Sequence, residues 1–182
     1  MSEGATQIGI ARLRAGAVSG RQVVDEPAVR AALVDVPDPE LPMLSVVDLG
    51  IVHRVDVSPA DGSIRVEILP TFVGCPALEL IKDAIATRLA SFGRPVEVVA
   101  TFAVPWTSDR ITPAGRAALE DAGIAPPGPT TETTLIDLEP RVPCPHCGSR
   151  RTHLENVFGP TQCRTIRYCT DCRQPFEAIK PV

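Results

Sequence analysis

The sequence predicts an α+β protein of two unequal units: a small α/β sandwich of order α-β-β-α-β-α, then a short all-β module. Three observations carry this reading. Apolar residues recur at helical and then at strand spacing as far as residue 124. Five of the six cysteines lie in the last 39 residues, leaving Cys75 alone upstream. The charge also reverses: residues 1–140 carry 11 Lys+Arg against 19 Asp+Glu, whereas residues 141–182 carry 7 against 3. A chain of 182 residues, 44 % hydrophobic and 22 % charged, has room for one domain of about 100 residues plus a small module. A wholly disordered chain is excluded by the periodic Val, Ile, Leu and Ala blocks. No run approaches the roughly 18–20 apolar residues of a spanning helix. Arg12 and Arg14 interrupt the first twenty residues, so no secretory signal is read and a cytoplasmic location is expected.

Residues 1–26 show no sustained period and are expected to form a flexible arm. The sandwich is expected over 27–124. Pro27 suits a first helical position, and Ala28, Val29, Ala32, Leu33 and Val36 give an apolar face. The prolines of Pro37-Asp-Pro-Glu-Leu-Pro42 end that helix. From Gly50 the period becomes two, with Ile51, His53, Val55 and Val57 on one side; after the turn Ser58–Gly62, Ile64, Val66 and Ile68 alternate again. This is a hairpin. A helix is expected from Pro76 to about Phe92, stopped by Gly93, and a third strand through Val96, Val98, Ala100 and Phe102. Thr112-Pro113 opens a last short helix that Gly123 closes. The Pro- and Thr-rich segment 125–140 reads as a linker.

The last unit, 141–182, contains Cys144-Pro-His-Cys147 and Cys169-Thr-Asp-Cys172, separated by 21 residues. Each tight turn lets two thiolates grip one ion, and a hairpin that joins two such turns completes a tetrahedral S₄ shell. Gly159-Pro160 supplies the turn between alternating strands, and Phe176 and Ile179 a further short strand. About 40 residues cannot bury enough apolar area alone, so the metal supplies much of the folding free energy. Zinc is the expected ion, one per chain; a rubredoxin-like iron or a [4Fe–4S] cluster suits the same four thiolates. His146 and His153 read as surface residues. The ribbon arginines are few against an acidic main domain, so neither nucleic acid nor membrane is an expected partner.

Two thiols stand outside this shell. Cys75 precedes Pro76, where free N–H groups and the helix dipole are expected to favour thiolate. Thr71, one turn away, offers a hydroxyl. Cys163, at the hairpin tip six residues before Cys169, reads either as a packed or idle thiol or as an exposed one that takes part in metal or sulfur handling. Asp38, Glu40 and Asp48 are candidate hard ligands or ion-pair partners in the loop after the first helix. No base can be assigned to Cys75, so no catalytic residue is expected.

Together these residues resemble a known family. Asp38-Pro-Glu-Leu-Pro42, Asp48-Leu-Gly50 and Thr71-xxx-Cys75-Pro76 resemble the iron–sulfur-assembly domain of the SufT type. Trp106-Thr-Ser-Asp, Ile111-Thr-Pro, Gly123-Ile-Ala-Pro-Pro127, Cys144-Pro-x-Cys147, Phe158-Gly-xxx-Cys163 and Cys169-xx-Cys172-Arg-x-Pro-Phe176 resemble the PaaD family, accessory subunits of the phenylacetyl-CoA epoxidase system. The resemblance covers residues 27–182. It implies a SufT-like sandwich with a zinc ribbon, and a part in aerobic phenylacetate degradation, where a di-iron oxygenase subunit and a flavin/[2Fe–2S] reductase do the chemistry. It implies no activity for the chain alone. Instead it implies help in assembling an iron or iron–sulfur centre in one of those partner subunits; a homodimer is a further assembly it allows. By motif, Cys75 and Cys163 become iron- or cluster-transfer thiols, Thr71, Asp38 and Glu40 their supporting loop, and Cys144, Cys147, Cys169 and Cys172 the zinc ligands. A docking subunit with a purely structural zinc is the alternative. Arg110 departs from the pattern, which has an aromatic there.

Overall fold

The computed structural model describes residues 24–128 and 142–181. Most of the expected arm and linker lies outside them. The first helix, α1 (Glu26–Leu33), starts one residue before Pro27, because the Asp25 carboxylate accepts the Ala28 N–H at 2.9 Å and caps it. Val29, Ala32 and Leu33 are its buried face, set against β1 and α2. After the proline-rich turn a single bridge between Pro37 and Ser45 returns the chain toward the sheet.

Strands β1 (Val52–Val57) and β2 (Ile64–Ile68) form the expected hairpin. The even alternation expected for β1 does not hold: a bulge between Val52 and Arg54 shifts the register, so Val52 and Val55 are buried while His53 is only half-buried. In β2 the alternation is clean, with Ile64, Val66 and Ile68 inside. Helix α2 (Leu78–Leu89) begins two residues later than Pro76 and continues as a 3₁₀ turn to Phe92, where Gly93 takes the left-handed conformation. It carries the chain over to β3 (Val96–Ala100), which lies parallel to β2. Phe102, expected at the end of that strand, lies beyond it and is 63 % exposed.

Helix α3 (Pro113–Asp121) is capped by Thr112, whose hydroxyl accepts the Gly115 N–H at 3.0 Å. The chain then enters a strand that the linker reading overlooked. Strand β4 (Ile124–Ala125) pairs in parallel with β7 (Pro175–Ile179) of the second unit, so Ala125 belongs to a sheet. Arg116 pins the segment beyond it, donating to the carbonyls of Ser108 at 2.7 Å and Pro127 at 2.6 Å. The second sheet has the order β4-β7-β6-β5, with β5 (Thr152–Asn156) and β6 (Arg164–Cys169) antiparallel. One apolar core fills the sandwich and reaches Ile179 of the ribbon; a smaller one gathers Ala125, Val142, Cys144, Cys169, Phe176 and Ala178. The two units therefore share packing instead of hanging on a tether.

Candidate functional site

The four-cysteine site grows out of two matching knuckles. In the first, the Gly148 N–H donates to the Cys144 carbonyl at 2.8 Å and Gly148 is left-handed, φ +72°. In the second, the Arg173 N–H donates to the Cys169 carbonyl at 2.9 Å, and Arg173 takes φ +59° although it carries a side chain. The four sulfurs lie within 4.8 Å of one another, with Cys144–Cys172 and Cys147–Cys169 at 3.6 Å. A tetrahedron with Zn–S arms of about 2.3 Å has edges of about 3.8 Å, so the thiols already stand at the spacing zinc requires. The Cys172 N–H and the neighbouring sulfurs hold the Cys169 thiol down to about 7, whereas burial pushes Cys172 up to about 12. Cys144 and Cys169 are buried and four thiols complete the set, so a bound zinc would be held in the closed form of a structural ion and would supply folding free energy.

A second site lies where the units meet. A cavity of about 100 Å³ is walled by apolar side chains, among them Leu49, Ile68, Ile81, Trp106 and Ile179. Cys75, Thr71, Asp38 and Glu40 of the sandwich open onto it, and so do Gln162, Cys163 and Lys180 of the ribbon. Both extra thiols thus face one space, from different units. Asp38 is buried and accepts the N–H groups of Glu40 and Leu41 at 2.9 and 2.8 Å. This turn presents Glu40, whose carboxylate lies 3.9 Å from the Cys163 sulfur. The Thr161 hydroxyl is 3.1 Å from the same sulfur.

Two expectations about these thiols are corrected. Cys75 does not sit at the first turn of α2, since that helix starts at Leu78; its carbonyl accepts the Leu78 N–H at 3.3 Å. Burial, aided by the charges of Glu40, Asp38 and Cys163, raises its thiol above the ordinary range and outweighs the Ala77 N–H that favours thiolate. Cys163 is half-buried, not exposed, and burial raises it likewise. Asp48 is occupied structurally, accepting from the Ser45 hydroxyl at 2.6 Å and the Thr112 hydroxyl at 2.9 Å, which ties its loop to α3. His146 and His153 are exposed. Of the ribbon arginines, Arg151 pairs with Asp171, Arg164 with Glu177, and Arg167 is buried. Sequence reasoning missed Lys180, Gln162 and the cavity role of Trp106, because nothing in local spacing says that a carboxy-terminal strand returns to the sandwich.

A helix-flanked sheet with one thiol in the loop before α2, joined to a ribbon with a four-cysteine shell, is the architecture that two family models match. The family model described as an iron–sulfur cluster assembly protein matches residues 26–100, and the one described as the PaaD zinc beta ribbon domain matches 128–180. A protein of Escherichia coli (strain K12), named as one of the subunits of 1,2-phenylacetyl-CoA epoxidase, is 38 % identical over 151 residues, 82 % of this chain and 89 % of that one. The chain belongs to this PaaD family of epoxidase subunits. An iron–sulfur cluster carrier protein of Mycobacterium tuberculosis (strain ATCC 25618 / H37Rv) is 41 % identical over 63 residues, 35 % of this chain but 16 % of the relative. A solved domain of unknown function from Bacillus anthracis is 27 % identical, covering 52 % of this chain and 90 % of its own, with a TM-score of 0.48. Among the described residues, no helix is long and apolar enough to cross a membrane.

Proposed function

We propose that this chain is an accessory subunit of a phenylacetyl-CoA epoxidase system that assists assembly of an iron or iron–sulfur centre in a partner subunit. Cys75 and Cys163 hold the cargo transiently, and the zinc ribbon is structural. The observation that carries the reading is that these two thiols, one from each unit, line a single cavity. Transfer of iron or a cluster is ligand exchange between thiolates, which needs sulfurs outside a closed shell. Cys75 and Cys163 are the cysteines outside it. The assembly-domain match over 26–100 and the relationship to an epoxidase subunit support the same reading.

A docking subunit without cargo is favoured by one observation: both thiols are partly buried, and burial disfavours their thiolate forms. Metal and sulfide content after anaerobic purification separates the two. The transfer reading expects one zinc per chain plus substoichiometric iron and sulfide, and in Cys75→Ser the iron and sulfide are lost while the zinc stays. One zinc and nothing else, unchanged in the variant even after cluster reconstitution, would leave the docking reading. The single tryptophan, Trp106, lines the cavity, so bound iron is expected to quench its fluorescence in wild type and not in Cys75→Ser.

A further inference from the structure

We infer that Arg164 is a positioning residue, a clasp that fastens the ribbon turn 161–164 onto the Asp38–Glu40 loop and so holds Cys163 across the cavity from Cys75. Arg164 directly follows Cys163, and its side chain is only 12 % exposed. Each arm of the guanidinium has a separate task. Nη1 donates to the Glu177 carboxylate on β7 at 2.6 Å, which neutralises and anchors the buried charge within the ribbon. Nε donates to the Thr161 hydroxyl oxygen at 2.9 Å. Nη2 reaches across the junction toward the Glu40 carbonyl at 3.5 Å, and the charge also favours the Asp38 carboxylate.

The Nε contact has a directional consequence. Because Arg164 donates to the Thr161 oxygen, the hydroxyl proton is left to point elsewhere, and the Cys163 sulfur stands 3.1 Å away. One cation therefore holds the Thr161 hydroxyl that contacts the sulfur and ties that sulfur's turn to the opposite unit. Room for this is made by Gly159, where a Cβ would come within 3.0 Å of Arg164, and whose N–H donates to the Arg164 carbonyl at 2.9 Å. A lysine carries its three donors on one nitrogen and cannot reach partners spread around Nε, Nη1 and Nη2.

The inference rests on the reading of Cys75 and Cys163 as one site, and its test is kept apart from iron binding. The zinc-loaded full chain is treated with a short bis-maleimide, and the Cys75–Cys163 bridge is quantified by peptide mass spectrometry. Wild type is expected to bridge. Arg164→Ala and Arg164→Lys are expected to bridge at least about tenfold more slowly, the scale of losing hydrogen bonds to a charged group. Zinc content stays at the wild-type value, bridging is compared below each variant's thermal midpoint because loss of the Glu177 pair lowers that midpoint, and the exposed Arg150→Ala control bridges normally. Bridging of Arg164→Ala at the wild-type rate, or no bridge in wild type, overturns the clasp. Should Arg164→Ala lose zinc, Glu177→Gln removes the anchor while keeping the arginine; slowed bridging there sustains the clasp and an unchanged rate overturns it. A failed transfer reading instead shows as absent iron with bridging intact.

Discussion

At the scale of single residues, Asp38 shows how the cavity is held. Its carboxylate accepts two backbone N–H groups, yet burial outweighs them and raises it above the ordinary value of 3.8. An acid whose folded pKa exceeds its unfolded one binds its proton more tightly when folded. Stability therefore falls as pH rises from 3.8 through the raised value, and at pH 7 the ionised group is a net cost. Asp38→Asn keeps an acceptor for both N–H groups and removes the charge. Its melting temperature at pH 7 is expected at or above that of wild type, with the advantage shrinking as pH falls to 3.8 and gone by about pH 3, where the wild-type carboxyl is largely protonated in both states. A clear loss at pH 7 would mean that the charge itself is needed, with Arg164 the cation that favours it. Cys75→Ser, the same size with no soft ligand, tests chemistry without disturbing this turn.

At the scale of elements, loops carry the strain that positions the site. Gly50 ends the turn that leads into β1 at φ +72°, and a Cβ there would lie 2.2 Å from the Arg110 carbonyl oxygen. Arg110 also donates from Nε to the Gly50 carbonyl at 3.0 Å, while Trp106 donates to the Leu49 carbonyl at 3.0 Å. Arg110 is thus tied to the turn that lies between the cavity-lining residues Leu49 and Ile51. Gly50→Ala is expected to cost on the order of 3 kcal/mol or more, clash added to left-handed strain. Gly74→Ala, at φ +86° with no atom within 4 Å, meets only the strain, about 1 kcal/mol. Urea midpoints of the two variants check the contrast; equal losses would contradict it.

At the scale of the whole molecule, two cores meet at the cavity. The ribbon core is small and built around Cys144 and Cys169, so it depends on the ion, whereas the sandwich core has its own buried helices and strands. Chelation is expected to abolish hydrogen-exchange protection in β5, β6 and β7 while α1, α2 and β1–β3 keep theirs. Ile179 and Lys180 wall the cavity beside Trp106, which is 4 % exposed. Zinc removal should therefore also shift Trp106 emission to the red. Lost ribbon protection with unchanged emission would show that the sandwich closes its cavity unaided.

The sequence by itself determined the fold class, the element order as far as α3 and the four-cysteine shell. Each rests on local spacing: period two in β2, a proline–glycine frame around α3, and paired CxxC turns that can close on one ion. It also singled out Cys75 and Cys163. The tertiary structure decided what those thiols are. Helix α2 starts later than Pro76 suggests, so Cys75 lies in a loop under a buried wall where desolvation outweighs the favourable N–H. Strand β4, two residues in a segment that reads as linker, forms only because β7 lies beside it to accept pairing. That long-range pairing and the Ile179 contact bring Cys163 and Lys180 to the cavity. Glu40 and Cys163 are 123 residues apart along the chain, and no local period encodes a contact of that span.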